Sequence, residues 1–160
     1  MEQKTNVMRI LDRMKIGYTA HTYEPDATKS GEEIAAILGE ESAMVYKTLV
    51  TRAASGQYYV FVIPVTEELD LKAAAKAAGE KSVSMIKQKD LLPVTGYVHG
   101  GCSPFGMKKE FPSFIDSSAA DLDRIFVSAG KVGFQIELAP EDLIRGAKLT
   151  TAKLCADKEV

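Results

Sequence analysis

Three groups of residues in this sequence are suited to chemistry. The first is Lys47, within the run Val45-Tyr46-Lys47-Thr48-Leu49-Val50. Strand alternation sets Lys47 on the same face as Val45 and Leu49, with Tyr46, Thr48 and Val50 on the other. A lysine between apolar neighbours snorkels to solvent, pairs with a carboxylate, or points into a polar cavity. In a cavity its charge suits a phosphate or a developing oxyanion. The second group is the loop Gly100-Gly101-Cys102-Ser103-Pro104-Phe105-Gly106, followed by Met107-Lys108-Lys109. Its glycines permit close backbone approach, and successive N–H groups can form an anion-binding concavity. The glycine spacing matches neither a phosphate loop nor a dinucleotide fingerprint, and a plain tight turn would use the same residues. The third group is His99 with Cys102, a pairing suggestive of nucleophilic catalysis. Proximity along the chain is weak support, and a cysteine more often behaves as a small hydrophobe. Asp116-Ser117-Ser118 reads as a strand end with capping chemistry. Ser128, opening the glycine-punctuated turn at 128–133, either faces a ligand or hydrogen-bonds within its loop.

The elements that must position these groups follow from periodicity. Val7, Ile10, Leu11 and Met14 recur at helical spacing after Thr5 or Asn6, and Gly17 stops that helix. A short strand over 18–23, which includes His21, is broken by Pro25. A second helix follows Ser30 and ends at Gly39. Residues 45–50 and 58–63 predict a hairpin whose second strand is apolar at successive positions, hence covered on both faces. A helix spans 69–78. Further strands are expected at 82–86, 97–99, 113–116, 125–128 and 134–138, with a short helix opened by Pro140. No repeat or linker divides residues 1–160. The mixture predicts one α/β domain with a mixed, partly closed barrel-like sheet flanked by helices.

Composition narrows the partners. Hydrophobic residues at 46% and charged residues at 26% are ordinary for a globular chain and leave no disordered tail. No apolar run approaches the ~20 residues that cross a membrane. The start, Met1-Glu2-Gln3-Lys4-Thr5-Asn6, lacks the apolar stretch of a secretory signal. Two cysteines far apart, Cys102 and Cys155, form no metal or redox pair, so a reducing, cytoplasmic setting is expected, with no metal and no cofactor. A net charge of −2 disfavours a broad duplex grip, hence no DNA partner, and leaves room for a nucleotide end held in a local positive pocket.

Taken together, these segments resemble the YbaK-type Cys-tRNA(Pro) deacylases, related to the editing domain inserted in bacterial prolyl-tRNA synthetases. The matching pieces lie at 4–12, 21–23, 46–50, 100–109, 115–118, 127–133 and 137–143, in that order over nearly the whole chain. The resemblance implies a mixed α/β fold with a barrel-like sheet, no metal and no covalent enzyme intermediate. It implies that Lys47 is the key functional lysine. Tyr23, Thr48, Gly100, Gly101, Ser103, Pro104 and Ser128 would bind the terminal aminoacyl-adenosine. It also implies that the substrate's own thiol attacks its ester, and that prolyl-tRNA synthetase is a partner. Two residues depart from the pattern. Cys102 stands where an aliphatic residue is expected, and Gln135 occupies a variable position, so the amino-acid preference could extend to Ala-tRNA(Pro). A non-catalytic module for tRNA ends and a cysteine hydrolase using Cys102 with His99 are the competing readings.

Overall fold

The computed structural model describes residues 4–157; the sequence reading at residues 1–3 lies outside them. Three helices are fixed by local chemistry. Helix α1 (Asn6–Met14) begins at Thr5, whose hydroxyl accepts the Met8 N–H, and buries Val7, Met8 and Leu11. Strand β1 (Thr19–Thr22) follows. Helix α2 (Gly31–Leu38) starts at a reciprocal Ser30–Glu33 capping box. The hairpin forms as expected from β2 (Tyr46–Ala53) and β3 (Tyr58–Pro64). Helix α3 (Leu71–Ala78), capped by Asp70, leads to β4 (Val83–Met85) and α4 (Gln88–Thr95). Strands β5 (Ser113–Asp116), β6 (Ile125–Ser128) and β7 (Phe134–Leu138), helix α5 (Pro140–Gly146) and β8 (Leu149–Ala152) complete the chain.

The strands form two sheets, ordered β4-β2-β3-β5-β8 and β1-β7-β6. Neither closes, which corrects the expected barrel-like sheet. Among the described residues they are joined by one isolated parallel bridge, between Val45, just before β2, and Phe126. That contact is packed by Ala35, Val65 and the rings and chains around Phe126. Beyond it, β2 is drawn toward β4 through Thr51, Arg52 and Ala53, while β6 stays paired with β7. Beyond that bridge no strand pairing among the described residues joins the two sheets.

Strand β3 is covered on both faces, as its unbroken apolar run predicts: Val60, Phe61, Val62 and Ile63 are fully buried. Val62 joins the cluster beneath α1 and α5, whereas Phe61 and Ile63 pack under α3. Burying side chains of this size contributes about 1.5–3 kcal/mol each. Asp116 does the expected capping work. Its carboxylate accepts the Ser118 N–H at 3.1 Å and the Leu154 N–H at 2.8 Å, tying β5 to the segment after β8.

One expected strand is absent and two elements were not expected, each for an identifiable reason. Residues 97–99 form no strand, because Gly96 (φ +86°) and Gly100 (φ +87°) reverse the chain on either side of them. Helix α4 was hidden by Pro93, which sits inside it and removes one helical donor. Strand β8, Leu-Thr-Thr-Ala, gains its pairing only by lying parallel to β5, a distant contact that no local pattern signals.

Candidate active site

The divergence of β2 from β6 leaves one side of β2 unpaired over the residues that matter. The Val65 N–H donates to Val45 O at 2.9 Å, so alternate main-chain groups of β2 from Val45 onward face β3. Those of the even residues face the other way. Val50 O is reached there by the Ile86 N–H at 3.2 Å, and no strand of the described residues pairs with Thr48 on that side. In the parallel register set by Val45 and Phe126, carried on two residues, Lys47 falls level with Ser128 across the opening.

A cavity of about 220 Å³ fills this wedge. Lys47, Thr48 and Leu49 form the β2 wall, and Ser128 and Gln135 form the floor. Those two floor residues are direct cross-strand partners on β6 and β7 and so share a face. The first turn of α2, through Ser30, Gly31 and Ile34, closes one side; Leu91, His99, Gly100 and Cys102 close the other. Side-chain alternation holds as the sequence indicated. Leu49 packs on the α3 side with Phe61 and Ile63, while Tyr46 and Val50 face the opposite side. An unpaired edge explains why Lys47 and Thr48, from opposite faces of one strand, border the same space.

Lys47 is half-buried, and no carboxylate among the described residues forms an ion pair with it. It borders the cavity. Ser128 does both things open to it. Its Oγ accepts the Gly130 N–H at 3.1 Å, and the residue still lines the floor. Gly100 borders the cavity in a left-handed conformation (φ +87°) that disfavours any side chain. The loop behind it is braced at several points. Ser103 Oγ accepts the Phe105 N–H, and the Tyr97 hydroxyl donates to Phe105 O. A Cβ on Gly101 would meet Val132 N at 3.2 Å, so the two glycine-rich turns lie directly against each other.

Tyr23, Gly101, Ser103 and Pro104 lie outside this lining. Tyr23 donates its N–H to Gly133 O at 2.9 Å and keeps a buried hydroxyl without a partner. Ser103 is fully buried behind the loop. Pro104 borders a separate cleft of about 560 Å³, between α1 and the segment 104–113. No buried, unpartnered polar atom of the described residues lines that cleft. The α2 contribution went unread in the sequence, although the Ser30–Glu33 capping box marks where that helix begins.

His99 and Cys102 both line the cavity. Burial, however, pushes the Cys102 thiol up to about 12, so no thiolate nucleophile exists near neutral pH. Cys102→Ala is expected to keep deacylation within about threefold of wild type, because removing an inert apolar contact changes the barrier little. Abolished turnover in a folded Cys102→Ala protein would restore the cysteine-hydrolase reading. His21 is engaged elsewhere. It bonds Glu137 at 2.8 Å, Glu137 in turn holds Arg124 at 2.7 Å, and Arg124 reaches Glu40 at 2.9 Å. The Arg124 guanidinium bonded to Glu137 holds that carboxyl below the usual carboxylate range.

The aminoacyl-tRNA editing domain matches residues 24–145, which span the whole cavity. The chain belongs to the aminoacyl-tRNA editing domain family. It is 46% identical over 144 residues to the Enterococcus faecalis protein named "Putative Cys-tRNA(Pro)/Cys-tRNA(Cys) deacylase EbsC", covering 89% of this chain and 88% of that one. It is 32% identical over 108 residues to the prolyl-tRNA editing protein ProX of Acetoanaerobium sticklandii, covering 67% and 65%. The fold is shared with the crystal structure of hypothetical protein APE2540, at a TM-score of 0.86 and 20% identity over 94% of this chain and 99% of that one. Aminoacyl-tRNA editing is therefore the activity class of this domain, and mischarged tRNA is its substrate class. Among the described residues, no helix is long and apolar enough to cross a membrane.

Proposed function

We propose that this editing domain removes cysteine mischarged onto tRNA(Pro), acting in trans in the cytoplasm alongside prolyl-tRNA synthetase. The observation that carries the reading is Lys47, without an ion pair on the free edge of β2, bordering a cavity in which burial keeps the Cys102 thiol protonated. The 46% identity to a protein named for Cys-tRNA(Pro) supports the choice of substrate.

The chemistry is then substrate-assisted. The cysteinyl sulfur attacks its own ester carbonyl, its proton passes to the departing ribose oxygen, and the carbon–oxygen ester bond breaks to release a thiolactone. Lys47 stabilises the charge that builds on the carbonyl oxygen. Thr48, Gly100 and Ser128 hold the terminal aminoacyl-adenosine so that attack begins from a productive geometry, and Tyr23, Gly101, Ser103 and Pro104 act from the turns behind that lining.

A deacylation panel with cysteinyl-, alanyl- and prolyl-tRNA(Pro) tests the substrate. Rapid release of cysteine, slower release of alanine and an intact prolyl ester are expected. Preferential release of alanine would move the assignment to Ala-tRNA(Pro). Binding of charged tRNA without release would make the domain a tRNA-end binding module.

A further inference from the structure

Two buried polar atoms, on residues that line the cavity, have no partner among the described residues. Gln135 Oε1 and Thr48 Oγ1 are buried and accept or donate no hydrogen bond among the described residues. Both residues line the cavity, and Gln135 is only 5% exposed. Gln135 sits on β7, the central strand of its sheet, between His21 on β1 and Ser128 on β6. Its backbone is therefore held on both sides, and the amide belongs to a rigid floor. A buried amide oxygen left without a donor bears its full desolvation cost, whereas an apolar side chain there would not. The remaining wall is largely apolar, with Ile34, Val45, Leu49 and Val65. An occupant that suits this space is mostly apolar and carries a strong donor at one end.

We infer that Gln135, together with Thr48, receives the α-amino group of the aminoacyl ester and so fixes the direction in which the amino acid enters. The inference rests on the editing reading above. An amino group can donate to the Gln135 oxygen and exchange a second hydrogen bond with the Thr48 hydroxyl. A thiol is a weak donor with a single hydrogen and satisfies neither well. The amino group in its charged form makes the stronger, charge-assisted bond. Lys47 repels that same charge and attracts the carbonyl oxygen. The amine is thus held between Gln135 on the floor and Thr48 on the wall, and the carbonyl oxygen is drawn to Lys47. A site built to bond a donor discriminates strongly against the analogue that lacks it, because its own polar groups are then left unpaired.

The test uses the full chain and tRNA(Pro) esterified either with cysteine or with 3-mercaptopropionate, the same thiol acid without the amino group. Each enzymatic rate is divided by the uncatalysed rate of its own ester. For wild type the cysteinyl ester should be favoured by at least about tenfold. Gln135→Leu should bring that ratio close to one, and Gln135→Glu, which keeps an acceptor oxygen, should preserve it. Gln135→Met gives the same readout where the leucine variant fails to fold, with Tm recorded for each. Equal slowing of both esters in Gln135→Leu, or a wild-type ratio near one, overturns the inference while leaving the editing reading intact. A wild type that releases neither acid overturns the editing reading itself, and this inference with it.

Discussion

Lys47→Ala is expected to slow release of cysteine from Cys-tRNA(Pro) by at least about a hundredfold, the scale seen when one preorganised oxyanion donor is removed. The side chain makes no ion pair in the fold, so its removal takes away charge from the cavity without stranding a partner elsewhere. The thermal midpoint should therefore stay close to wild type, which separates a catalytic defect from a folding defect. Lys47→Arg is not a neutral exchange, since the planar guanidinium is larger and places its donors differently. Single-turnover deacylation with enzyme in excess measures the effect directly. Undiminished release by Lys47→Ala would sink the proposed mechanism.

Asp116→Ala carries the largest expected effect on stability, about 2 kcal/mol at neutral pH. The loss follows from the two main-chain N–H groups that its carboxylate accepts. One of them, on Leu154, belongs to a fully buried residue and has no nearby replacement. Burial pushes the Asp116 carboxyl up, but the hydrogen bonds from Ser118 and from Leu154 outweigh it and hold the group below its ordinary 3.8. A folded-state value below the unfolded one stabilises the protein fully above 3.8, and that contribution is lost as the pH falls through the folded value. Urea titrations at pH 7 and at decreasing acid pH check both points. Wild type should lose stability across the acid range more steeply than Asp116→Ala, and parallel profiles would show that Asp116 does not carry the term.

The parts of this fold that depend on neighbours in sequence were legible from sequence. Thr5 and Ser30 mark helix starts, the hairpin of β2 and β3 follows from its β-branched runs, and the alternation around Lys47 holds in the structure. What could not be read is set by distant pairing. The wedge exists because β2 prefers β4 while β6 prefers β7, and neither choice is written near Lys47. The same is true of Gln135. Its sequence context is an ordinary alternating strand, and only the three-dimensional surroundings show that its amide oxygen lacks a donor. Cys102 shows the reverse case. Beside His99 it looks reactive along the chain, yet burial keeps its thiol protonated.

The Val45–Phe126 bridge makes the aperture of the site a property of the core. A pocket framed by loops changes width when a loop changes length. Here the two walls meet at an apex packed by Ala35, Val65 and Phe126, and the close packing of that cluster is expected to set the angle between them. Altering that volume would swing Lys47 and the Ser128–Gln135 floor apart or together without touching either. Tuning this domain toward larger or smaller acyl groups is thus a problem in core packing, addressed from the hinge side of the wedge.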